Sequence, residues 1–126
     1  MGGCGTFAAG NDAEYVYETA YWIEDAKVLV GKAGKGKHAL PEESHSSSAK
    51  YIKMNGDTFR EMRIYENHKI VLEIGYHHEK ELRSDMKPVL HYHEYPDGSF
   101  STRKKAILMP SDMIEKYKKY LKGVPL

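Results

Sequence analysis

The chain has 126 residues, 40% of them apolar and 29% charged, a balance that suits one modest core and argues against wholesale disorder. Nineteen Lys and Arg against eighteen Asp and Glu leave a formal charge of +1, which excludes a strong global pull toward nucleic acid or an anionic membrane, though not a local basic patch. The lone cysteine, Cys4, excludes an intrachain disulfide and a Cys-type tetrahedral zinc site, and no apolar run approaches the roughly 18 residues that span a bilayer.

In chain order, residues 1–13 are rich in Gly, Ala and Asn and read as a flexible N-terminal arm, without the basic and apolar segments of a signal peptide. Residues 14–126 read as a single α+β domain. The aromatic and β-branched run over 15–30 predicts one long bent strand or two short ones, with a helix over 13–22 as the competing assignment. Residues 31–48, GKAGKGKHALPEESHSSS, have no periodicity and predict a long loop of the kind that is usually functional or disordered. A strand over 49–54 follows, then a hairpin turn at Asn55-Gly56 and a return strand over 58–65. A second turn over 66–68 leads to strands over 69–78 and 88–95. Pro96-Asp97-Gly98 turns the chain again, and 99–104 is expected as a short edge strand. Pro110-Ser111-Asp112 opens a helix whose Met113, Ile114, Tyr117 and Leu121 form a core-facing stripe, and Gly123 with Pro125 ends it. The expected fold is an antiparallel sheet of four or five strands with this C-terminal helix packed on one face.

Alternation of side chains divides the strands into two faces. Met62 and Ile64, then Ile70, Leu72, Ile74 and Tyr76, then Leu90 and Tyr92 are expected toward the helix. Glu61, Arg63, Glu73, His77, His91 and His93 are expected together on the opposite face. A sheet with one solvated face shows such polar alternation in any case. Histidine is, however, an uncommon filler of exposed strand positions. A pair of imidazoles with a carboxylate and an arginine holds the parts for phosphodiester cleavage. One ring takes a proton from a ribose 2′-OH, another group protonates the leaving 5′-oxygen, and the arginine stabilises the phosphate. In this reading His91 and His93 are the acid–base pair, His77 and Glu73 orient them, and Arg63 contacts phosphate. Lys37, His38 and His45 of the loop hold the substrate, with Lys35, Glu42 and Glu43 beside them. No cofactor and no metal is required. The alternative is a metal-binding protein in which His91-x-His93, completed by Glu73 or His77, takes zinc, iron or manganese. No GxxxxGK[ST] or GxSxG motif is present, so neither a P-loop nor a nucleophile elbow is expected.

The opening MGGCGTFAAG resembles the MGGRG-type starts of small proteins encoded in the head-morphogenesis regions of phages and prophages of Gram-positive bacteria. KHALPEESHSSSAKYIKMNGDTFREMRIY, with EIGYHH and KPVLHYHEY, is similar to domains from those regions and from the C-termini of bacterial polymorphic toxins, over about residues 37–95. The series R-x-Y, I-x-Y-x-H and H-x-H carries the resemblance. It implies a small helix-plus-sheet ribonuclease that works through histidines without a metal, with Arg63, His77, His91 and His93 in its site and His38 and His45 added from the loop. It equally implies a rival class, a non-enzymatic phage accessory or interaction protein that binds a phage head or another protein partner through its arm and first strand. The expected location is the host cytoplasm or the virion, with no membrane partner.

Overall fold

The computed structural model describes residues 17–31, 40 and 49–126. Seven strands form one sheet in the order of the chain: β1 (Tyr17–Ile23), β2 (Ala26–Gly31), β3 (Lys50–Asn55), β4 (Thr58–Glu66), β5 (Lys69–His77), β6 (Val89–Glu94) and β7 (Ile107–Leu108). Neighbours are antiparallel except β2 and β3, which run parallel where Lys27 faces Tyr51 and Val28 faces Ile52. A parallel pair cannot be joined by a tight turn, and residues 32–49 supply the length its connection needs. The long segment between these strands therefore has a topological reason. The arm over residues 1–13, and Lys37, His38 and His45, lie outside the described residues.

The fold is α+β, as expected, but the strand count exceeds four or five for two reasons. The run over 15–30 is two strands in the described residues, which also excludes a helix over 17–22. A seventh strand lies at Ile107–Leu108, paired with Tyr92 and His91, where the sequence pattern was not read as a strand. The expected edge strand over 99–104 is instead a 3₁₀ turn, Phe100–Thr102. Its polar side chains decide the matter: the Thr102 hydroxyl donates to the Ser99 carbonyl at 2.8 Å and accepts from the Asp97 amide at 3.3 Å, closing the chain on itself.

One face of the sheet packs under the C-terminal segment, α1 (Ser111–Tyr117) and the 3₁₀ turn Lys118–Tyr120. Ile52, Phe59, Met62, Ile74 and Leu90 meet Tyr120, Leu121 and Val124, with Met113, Ile114 and Tyr117 beside them, so the expected apolar stripe does face the core. The helix is shorter than its stripe because the last turn tightens before Gly123. The Phe59 amide donates to the Lys122 carbonyl at 2.7 Å, and the Tyr120 hydroxyl donates to Asp25.

The other face is buried as well. Leu29, Leu40, Tyr51, Tyr65, Ile70 and Tyr95 make a second apolar cluster there. Ile70 was expected with Leu72 and Ile74, but a bulge changes its side: Ile64 faces Leu72 while Tyr65 faces Ile70, leaving Val71 as the extra residue. Polar groups on this face are thus not solvated surface. They sit in a second interior, where each needs a partner.

A buried histidine array as the candidate functional site

The registers place the polar residues in two rows. Arg63 of β4, Glu73 of β5 and His93 of β6 are direct cross-strand neighbours, and the next row holds Glu61, Gly75 and His91. Expected neighbours on three strands are therefore brought together. They divide, however, into two groups with different chemistry.

The first group is an ion network. Arg63 lies 3.3 Å from both Glu61 and Glu73 and donates to the Leu40 carbonyl. Glu73 also accepts the Tyr95 hydroxyl at 2.6 Å and Arg103 at 3.3 Å. Burial alone would raise the Glu73 carboxyl. The hydrogen bond with Glu61, the Arg63 charge, the Tyr95 hydroxyl and Arg103 instead hold it below the usual carboxylate range. Burial, followed by the hydrogen bond to Glu73 and its charge, raises Glu61, so one proton is retained between the two acids. Phe100 caps the group, its ring 4.7 Å from the Arg63 guanidinium carbon. Arg63 and Glu73 satisfy each other here, and both side chains are buried.

The second group is the histidines. His77 and His91 meet edge to face with ring centroids 4.7 Å apart, and His91 meets His93 in the same way at 5.4 Å. His91 is 0% exposed and His93 4%. All three rings are oriented by backbone carbonyls on Nδ1: His77 to His78 at 3.0 Å, His91 to Val89 at 2.8 Å, His93 to Lys104 at 2.8 Å. A carbonyl only accepts, so Nδ1 carries the hydrogen, and the lone pair of such a ring, when neutral, lies on Nε2. The Nε2 atoms of His78, His91 and His93 are buried with no hydrogen-bond partner among the described residues. Burial, joined by the neighbouring rings His77 and His93, lowers the pKa of His91 and keeps it neutral. Gly75 makes room for the array: a Cβ there would lie 3.0 Å from Nε2 of His77 and 3.1 Å from Nε2 of His91.

Three participants were not anticipated. Gly75 is one. Glu79 is another: a ligating atom from each of Glu79, His91 and His93 lies within 4.8 Å of the others. Its signal was the run His77-His78-Glu79, but it falls just past the end of β5, where strand alternation no longer assigns a side. Arg60 is the third. It lines a cleft of about 270 Å³ with His77, His78, Thr58 and Asn55 and with the rings of Phe59, Tyr76 and Pro88, at the outer end of the array. Arg60 is the extra residue of a second bulge, since Lys53 faces Glu61 while Met54 faces Phe59.

The fold and site together define an α+β protein with a buried, carbonyl-oriented histidine array whose outermost ring lines a small cleft. No protein family, curated protein or solved structure matches the chain. No helix among the described residues is long and apolar enough to cross a membrane.

Proposed function

We propose that this chain is an RNA-cleaving domain of the phage or toxin type whose chemistry is centred on His77. The observation that carries the reading is the position of His77, the outermost ring of the array, in the same cleft as Arg60 and His78. Its Nε2 lone pair takes the proton of a ribose 2′-OH, the attack forms a 2′,3′-cyclic phosphate, and another group of the cleft protonates the leaving 5′-oxygen. Arg60 takes the phosphate role that Arg63, held by Glu61 and Glu73, does not fill. His91 and His93 stand behind His77 and fix its ring. Lys37, His38 and His45 remain the proposed contacts to the rest of the RNA strand.

The test is cleavage of a fluorescent RNA by the purified full chain, beside His77→Ala and Arg60→Ala. Loss of cleavage in His77→Ala, and a fall of about a hundredfold in Arg60→Ala, are the expected results. A folded protein that cleaves no RNA would remove the enzymatic reading. It would favour a binding protein, for which a separate observation speaks: Tyr21 and Trp22 on the edge strand β1 are 47% and 54% exposed. An aromatic edge strand suits a protein partner that adds a strand to the sheet. Loss of partner binding in Trp22→Ala would support that second reading.

A further inference from the structure

We propose that Glu79, His91 and His93 bind a divalent transition-metal ion of the zinc class beside Gly75. The inference does not depend on RNA cleavage: it rests on the buried pair behind the cleft, not on the chemistry at its mouth.

Three observations meet at this point. The first is orientation. Each of the two rings donates Nδ1–H to a main-chain carbonyl, at 2.8 Å in both cases, which leaves Nε2 as the atom able to ligate. A ligating histidine is characteristically held in this way, because the carbonyl sets both tautomer and ring plane. The second is an electrostatic imbalance. The Nε2 atoms of His91 and His93 are buried without a donor among the described residues, and a carboxylate of Glu79 converges on the same place. Electron-pair donors facing one another away from water repel unless a cation lies among them. The third is space. A side chain at position 75 would come within 3.0–3.1 Å of Nε2 on His77 and His91, so glycine keeps that volume open directly across the ladder from His91.

The donor set names the ligand. Two imidazoles and one carboxylate suit Zn²⁺ and its first-row neighbours better than Ca²⁺ or Mg²⁺, which prefer oxygen alone. Zinc–ligand bonds of about 2.0–2.1 Å in a tetrahedron put ligand atoms roughly 3.3 Å apart. The three groups, within 4.8 Å of one another, close to that spacing by side-chain movements of about 1 Å. Glu79 allows this because it lies beyond the strand, at the start of the turn whose amides at Leu82 and Arg83 donate to the Glu79 carbonyl. Three protein ligands leave one position for water, with His77 alongside.

The experiment uses the untagged full chain stripped with chelator. Zn²⁺ is titrated calorimetrically, and Co²⁺ is added to read ligand-field absorption. One ion per chain is expected, with intense visible Co²⁺ bands typical of tetrahedral coordination. His91→Ala empties a buried site and can fail to fold, so the decisive variants are Glu79→Gln and His93→Gln, each checked by circular dichroism. Both are expected to weaken zinc about tenfold or more. Absence of binding by folded wild-type protein overturns the proposal. Wild-type affinity in both variants also overturns it, by placing the ion on other histidines. Neither readout uses RNA. Metal binding without cleavage therefore rejects only the nuclease reading, and cleavage without metal binding rejects only this one.

Discussion

Gly75 stands directly across the β5–β6 ladder from His91, and the space left by its missing side chain is where the Nε2 atoms of His91 and His77 approach each other. This makes an ordinary strand glycine a condition for the array. Gly75→Ala should move the imidazole of half-buried His77 by a few tenths of an ångström, because His91 is enclosed and cannot yield. Gly75→Val puts a whole isopropyl group into the same volume and should cost about 1–3 kcal/mol through overpacking. Histidine ring resonances in NMR, with urea unfolding, check both outcomes. Unchanged His77 and His91 signals in Gly75→Ala would show that the rings do not depend on this space.

The contrast between the two rows shows what was legible in the chain. Arg63, Glu73 and His77 share a face because alternation needs only strand assignment and register, which the β4–β5 hairpin turn carries; His91-x-His93 follows the longer connection over residues 78–88, which fixes no register. Asn67 and His68 take φ values of +51° and +70°, as a two-residue turn of type I′ demands. The first hairpin turns one residue later than expected: Asn55 pairs with Thr58 at the end of β3, and Gly56, at φ +63°, and Asp57 make the turn. The roles were less accessible. Alternation cannot say whether a polar face meets water or a second interior, and that depends on Leu40, Tyr51 and Tyr95 meeting from distant parts of the chain. Nor does it see an added residue: Val71 puts Ile70 on the opposite side, and Arg60 marks another bulge. Glu79 was missed because it lies where the strand has ended.

The Arg63 network should behave as structure. Arg63→Ala leaves Glu61 and Glu73 buried with their nearest cation gone, and a loss of about 3–5 kcal/mol is expected. Tyr95→Phe removes one of the donors to Glu73 and should cost about 1.5–3 kcal/mol, the range for a hydrogen bond to a charged group. Chemical unfolding measures both. A stable, folded Arg63→Ala protein with impaired RNA binding would return Arg63 to the role of phosphate contact.

Gly123 ties the C-terminal segment to the β3–β4 hairpin. Its φ is +77°, and a Cβ would approach the Asp57 carbonyl oxygen to 2.9 Å and the Thr58 Cα to 3.0 Å. The neighbours are backbone and cannot swing aside, so Gly123→Ala combines left-handed strain with a clash. A loss of about 1–3 kcal/mol is expected, against no more than about 0.5 kcal/mol for an ordinary surface substitution. The unfolding midpoint in urea checks it. A midpoint equal to that of the wild type would mean that the segment docks without this contact.

Glu61 gives the protein a dependence on pH near neutrality. Its carboxyl is raised by burial and by Glu73, so the folded chain keeps a proton that the unfolded chain releases above about pH 4.3. The unfolded state then binds fewer protons, and raising the pH favours unfolding. The stability tied to this proton is fully present below the ordinary glutamate pKa and is lost as pH rises through the higher folded value. Glu73 has the opposite sign. Its contribution is present above the ordinary glutamate range and is lost only in strong acid, so it does not contribute to the slope between pH 5 and 8. Glu61→Gln imitates the protonated side chain without being able to ionise. The variant should lose less stability than the wild type between pH 5 and 8, and the gap between the two should widen with pH. Urea midpoints at several pH values decide this: parallel curves would mean that Glu61 is ionised in the folded protein and that Arg63 serves both acids equally.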